Sequence, residues 1–147
     1  MLSDLYNKTF TVFNQVQFSD GTKWIKHKIR YCSAKSGIFD KSRNQMTYTA
    51  TSWTMRTRDW KMYRPPTENG YYALGGADMQ KYFTVAVGDL IVFDDIPDST
   101  PNDIKEFKTI CDKYKNCGGI VSAAEAFINY DRRGNAWKTN HIKAVRA

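Results

Sequence analysis

Two histidines and three cysteines in 147 residues leave little material for the commonest catalytic and covalent devices. His27 sits in a lysine-rich stretch, which works against a role as general base. His141 lies near the end of the chain with no acid or nucleophile beside it in the sequence. Neither a nucleophile elbow, a P-loop nor a dinucleotide fingerprint is present. Cys32, Cys111 and Cys117 cannot make an even disulfide framework, and the Cys111/Cys117 spacing is wrong for a zinc knuckle. All three read as reduced fillers, as suits a reducing compartment. No apolar run approaches the roughly 20 residues that cross a bilayer. The opening MLSDLYNKTF lacks the basic and apolar regions of a signal peptide, so a soluble, cytoplasmically made protein is expected. From these shortages no catalytic, cofactor or metal residue is assigned.

Acid is scarce overall but dense in one place. The chain carries a net charge of +7, yet Val87 to Lys108 holds Asp89, Asp94, Asp95, Asp98, Asp103 and Glu106. A calcium loop needs alternating carboxylates, a glycine at the sharp turn and a closing Glu. This stretch has Pro97 and Pro101 instead, and no glycine between Asp89 and Cys117. A nuclease drawing on Asp89, Asp94 or Asp95 is the residual metal reading. The plainer one is a hydrated loop leading into a helix whose first turn favours Asp103 and Glu106.

What is abundant is base and aromatic. Met1–Arg64 has twelve Lys or Arg against four acids, 65–115 five against nine, and 116–147 five against two. Segregation of this kind concerns partners rather than fold. Lys23, Lys26, Lys28 and Arg30 alternate along one strand as a face for DNA or an acidic partner. Arg58, Trp60, Tyr63, Arg64, Tyr71 and Tyr72 have the composition of interface anchors.

Periodicity predicts about six strands and one helix. Lys8–Phe18 and Lys23–Cys32 alternate about the turn Ser19–Thr22 and form a hairpin. In the second strand Trp24, Lys26, Lys28 and Arg30 share one side, with Ile25, His27, Ile29 and Tyr31 on the other. Ser33–Gln45 is a loop. Met46–Thr57 is a third strand, and Tyr82–Phe93 a central one with a bend or bulge at Gly88-Asp89. Arg58–Gln80 has no period and reads as a long projecting loop. A helix of about Pro101–Asn116 starts at a Ser99/Thr100 cap and stops at Gly118-Gly119. Ile120–Tyr130 and Ala136–Val145 are strands about a hairpin loop at Asp131–Asn135. The fold class is therefore mainly β: a single domain over 1–147, a small antiparallel barrel or sandwich with one helix and a loop projecting at about 58–80.

The order of segments resembles a known family. YNKTFTVFN is followed by a Trp-bearing strand and a Pro- and Tyr-containing loop. Then come YFTVAVGDLIVFDDI, a short charged helix, Ile120-Val121-Ser122-Ala123 and a closing strand. This is similar to minor capsid proteins of the head–tail joining region in phages of Gram-positive bacteria, with Gly88 to Val92 the most specific piece. That family often ends in His-Trp-x-Val, whereas here Asn140 to Val145 reads NHIKAV and the Trp stands at Trp137. The resemblance implies a non-enzymatic, head-closure or stopper-like connector in the virion neck, made in the bacterial cytoplasm. Its partners would be copies of itself in a ring, a portal or adaptor above, a tail terminator or tube below, and packaged DNA, with no membrane and no cofactor. A tail terminator ring or a basic nucleic-acid-binding barrel are the alternatives.

Overall fold

The computed structural model describes residues 7–36, 52–114 and 117–146. Six strands carry the fold: β1 (Lys8–Phe18), β2 (Gly21–Ser36), β3 (Ser52–Thr57), β4 (Leu90–Val92), β5 (Cys117–Phe127) and β6 (His141–Arg146). All pairings between these strands are antiparallel, and the sheet closes in the order β1-β2-β3-β6-β5-β4, with β4 returning to β1. The mainly β, antiparallel architecture read from periodicity is the one found. The expected strand over Met46–Thr57 is seen as β3; its first residues, and most of the Ser33–Gln45 loop, lie outside the described residues.

Alternation along the strands sorts two apolar layers. Phe10, Val12, Ile29, Met55, Ile91, Val121 and Ile142 point inward and form the interior. Phe13, Trp24, Leu90 and Val92 point outward, where helix α2 (Ile104–Lys113) covers them with Phe107 and Ile110. A four-residue turn of helix, α1 (Gly76–Met79), precedes it in the chain. The cap of α2 is Asp103, not Ser99 or Thr100. The Glu106 amide donates to Asp103 Oδ1 at 2.8 Å, and the Asn102 amide donates to Glu106 Oε2 at 2.9 Å. This reciprocal arrangement satisfies two amide donors at the helix start and places both acids at its positive end.

Gly118 and Gly119 do not end the helix, which closes at Tyr114. They belong to β5, where a Cβ on Gly118 would lie 2.5 Å from Ile91 Cγ2 and 2.9 Å from the Phe93 ring. The glycine lets β5 lie close against Ile91 and Phe93. Cys111 and Cys117 are joined as a disulfide bridging α2 and β5, where the sequence reading left both reduced; Cys32 is free and buried.

The Tyr82–Phe93 strand is largely overturned, since only Leu90–Val92 pairs as one. Phe83, Thr84 and Val85 are buried, but their backbone serves the preceding loop: the Phe83 amide donates to Met62 O at 2.8 Å, and Arg64 N donates to Phe83 O at 2.9 Å. The loop expected to project over 58–80 instead folds down. Trp60 and Tyr63 pack on Phe83 inside the ring, and Tyr71 and Met79 pack with Val16. The Tyr71 hydroxyl donates to Met79 O at 3.1 Å, which closes this small unit on itself.

Gly118→Ala should cost about 1–3 kcal/mol of stability, because the added methyl overpacks against the Ile91 and Phe93 side chains. Urea unfolding of the variant beside wild type measures this.

Candidate functional site

The sequence-predicted basic face is built as expected and then spent internally. On β2 the outward residues are Trp24, Lys26 and Lys28, directly facing the acidic segment Asp94–Asp98. Lys26 Nζ donates to Ile96 O at 3.0 Å and Asp98 O at 2.7 Å. Partial burial, with Lys28 beside it, lowers the Lys26 pKa. Lys28 forms an ion pair with Asp95, and Lys23 pairs with Asp20 at 2.9 Å. Each exposed pair contributes roughly 0–1 kcal/mol. Their larger effect is on recognition, since three of the four cations assigned to a DNA or acidic-partner face already have oxygen partners. Arg30 remains exposed, with no side-chain partner among the described residues.

The dense acids separate into two roles. Asp94, Asp95 and Asp98 lie in the loop before α2. Asp98 accepts from the Tyr114 hydroxyl at 2.5 Å and from Lys113 Nζ at 2.9 Å, which ties the helix C-terminus to that loop. The Tyr114 and Lys113 hydrogen bonds hold the Asp98 carboxyl below its ordinary value. Asp89 is fully buried. Its Oδ1 accepts from the Gln15 amide at 2.7 Å, and its Oδ2 from Asn14 Nδ2 and the Ala86 amide, both at 2.8 Å. Asn14 Nδ2 also donates to Thr84 O at 2.5 Å. Burial without a cation pushes the Asp89 carboxyl up to about 7 against the pull of these three donors. Among the described residues, no group of three or more His, Cys, Asp or Glu side chains converges to hold a metal.

The assigned interface residues divide sharply. Trp60, Tyr63 and Tyr71 are buried core residues, a correction to their reading as anchors for a neighbour. Burial raises the Tyr63 hydroxyl to about 12. Arg64 lies over the Tyr82 ring, 4.0 Å from its centroid, and donates to the carbonyls of Lys61 and Tyr63. Tyr72 and Arg58 are exposed. His27 is half-buried, stacked on Phe83, with Nδ1 3.0 Å from Gln80 O; burial lowers its pKa.

Two surfaces escaped sequence reasoning. In β2 the register with β1 slips between Lys8 and Phe10, and Tyr31 takes φ 55°. This bulge turns Tyr31, expected on the inner side, out to solvent. In β5, residues from Ser122 to Phe127 are exposed on both faces and pair with β6 alone, because β4 ends opposite Ile120. They flank a groove of about 480 Å³ lined by Trp53, Ala123, Ala124, Lys143 and Val145 among others. The Trp53 indole N–H is buried without a partner among the described residues. The signal for this arm was the composition SAAEAF: small residues at both parities of a strand, with no alternation to bury either face. No family model, curated protein or solved structure matches the chain.

The raised Asp89 pKa has a defined linkage sign. The folded protein keeps a proton that the unfolded chain releases above its ordinary carboxylate pKa of 3.8. The Asp89 contribution to stability should therefore be full below about 4, fall as pH rises, and level off above about 7, by roughly a few kcal/mol in all. In Asp89→Asn that slope should vanish, even though the variant is weaker at every pH because its amide turns donors toward donors. Urea midpoints taken across pH 4 to 8 on both proteins check the slope.

Proposed function

We propose that the chain is a non-enzymatic structural subunit of a phage virion neck, of the head-closure or stopper kind. In this reading copies assemble as a ring between a portal or adaptor and the tail, help retain packaged DNA and join head to tail. The order of sequence segments suggests the class. The observation that carries the reading is the arm of β5 beyond Val121. Its outer edge has no backbone partner among the described residues, and both of its faces are in solvent.

Edges of this sort are normally shortened, charged or covered, because they pair with other chains. This one carries a single charge, Glu125, whose cross-strand neighbour is Lys143. Ala123, Ala124 and Ala126 let another backbone approach closely. An edge on one side of the subunit meeting a different surface on the next is a heterologous contact, and such contacts make a ring when the rotation between copies closes. A tail terminator ring would use the same device, and its position in the particle separates the two.

Ala124→Lys with Ala126→Lys should leave the monomer folded, with stability changed by no more than about 0.5 kcal/mol, since both sites are exposed. Assembly should be lost, seen as particles without joined tails and as a chain that sediments only as monomer. Negative-stain images of labelled necks locate the subunit. A doubly substituted chain that still joins heads to tails, or a label found elsewhere, would overturn the reading.

A further inference from the structure

The exposed aromatic side chains are not scattered. Tyr31 is 55% exposed, Trp137 50% and Tyr130 47%, the three most exposed rings among the described residues. The register brings them to one end of the ring. Cys32 pairs with Thr57, Met55 with Ile142, and Ile142 with Ala126. The bulge of β2, the end of β3, the start of β6 and the end of β5 therefore lie together. Hydrogen bonds link the pieces: Arg58 N donates to Tyr31 O at 3.2 Å, and the Tyr130 hydroxyl to Trp60 O at 3.5 Å.

Each ring is displayed from fixed backbone. Tyr31 is held at φ 55°, a costly conformation for a residue with a side chain. Thr57 Oγ1 donates to Arg30 O at 2.6 Å and accepts from the Asp59 amide at 3.0 Å, bracing the bulge. Strain that a structure holds in place often marks a working position. Tyr130 and Trp137 flank the hairpin loop. Asp131 Oδ1 accepts there from the amides of Arg133 and Asn135, and buried Asn140 clamps Asn129 through its side-chain amide.

The same segments carry Arg30, Arg56, Arg132, Arg133 and Lys138, against the acids Asp59 and Asp131. Lys23, Lys26 and Lys28 are committed to oxygens of their own chain, so this end, and not the middle of β2, offers the cations.

We propose that this end of the ring binds single-stranded nucleic acid, with Tyr31, Tyr130 and Trp137 stacking on bases and the arginines meeting phosphates. Rings offered to solvent between guanidinium groups suit unpaired bases, because a base inside a duplex has no face to give them. A duplex would be held by charge alone. An acidic protein surface would be drawn by the same cations, but it would gain little from rings that stand apart in solvent.

The test is fluorescence anisotropy of labelled oligothymidylate of about 16 nucleotides with the full chain, titrated across salt. Binding is expected to weaken with salt, with a log–log slope of about −0.7 per phosphate contacted. Tyr31→Gly and Trp137→Ala should each weaken binding about tenfold and leave the slope alone. Glycine at position 31 relieves the backbone strain, so its loss of binding would not come from unfolding. Arg30→Ala and Arg132→Ala should weaken binding and flatten the slope. Lys105→Ala with Lys108→Ala, exposed on α2, should change neither. Absence of binding at low salt would overturn the proposal. So would equal losses from the helix lysines, or polyglutamate binding as tightly as the oligonucleotide. None of these outcomes bears on the neck reading, which rests on the β5 edge.

Discussion

Closure of the sheet depends on three residues. Leu90, Ile91 and Val92 pair with β1 on one side and β5 on the other, and among the described residues no other strand pairs with both. Three residues make a weak strand, so what delivers them to the gap matters more than their own ladder. That is the task of Asp89. One carboxylate binds the β1 backbone at Gln15, the Asn14 side chain and the Ala86 amide, while its own carbonyl accepts from Val121 N at 2.9 Å. A single buried residue thus touches β1, the approach to β4, and β5. Its burial is expensive for a charge, and the site tolerates it because each oxygen is met by a donor.

The same constraint accounts for the open arm. β5 is eleven residues long and β4 only three, so β4 can cover only the first part of β5. Beyond Val121 the ring gapes, and β5 continues with an open outer edge, paired on its other side with β6, which β3 backs in turn. This extension is backed by β3 through β6 and braced near its end by Asn140 against Asn129. A closed ring abolishes edges, and one closed over only part of its height keeps an edge where closure fails.

Much of this was legible in the sequence, and the failures have definite physical causes. β1 was read to its ends because a half-buried strand imposes a period of two. Helix α2 was recognised by its stripe, although its cap fell to Asp103 where Ser99 and Thr100 were expected. A run such as Tyr82–Val85 is apolar because it is buried, and periodicity cannot tell whether its backbone bonds go to a sheet or to a loop. Trp60, Tyr63 and Tyr71 posed the same ambiguity: Trp and Tyr in an irregular, proline-bearing segment suit an interface and a core equally well. The bulge at Tyr31 leaves no trace in the pattern, because it consists of one residue more in β2 than in β1. Of the basic face, composition found the lysines but could not see that Asp95 and the carbonyls near Asp98 would face them across the fold.

That internal pairing changes what the net charge means. A chain of +7 invites a polyanion anywhere along its basic half. With Lys23, Lys26 and Lys28 matched to oxygens of the same molecule, Arg30, Arg132 and Arg133 stand exposed at the end where β3 finishes and β6 begins. Arginine there is better suited than lysine to remain available, since its planar guanidinium can stack on a ring and bind a phosphate at once. The arm of β5 runs into the loop that carries Tyr130, Arg132, Arg133 and Trp137. Any chain that paired with the β5 edge would therefore lie beside the strand from which that loop extends. The exposed edge and the basic, aromatic end are two parts of one covalent hairpin, so whatever orders one also bears on the other.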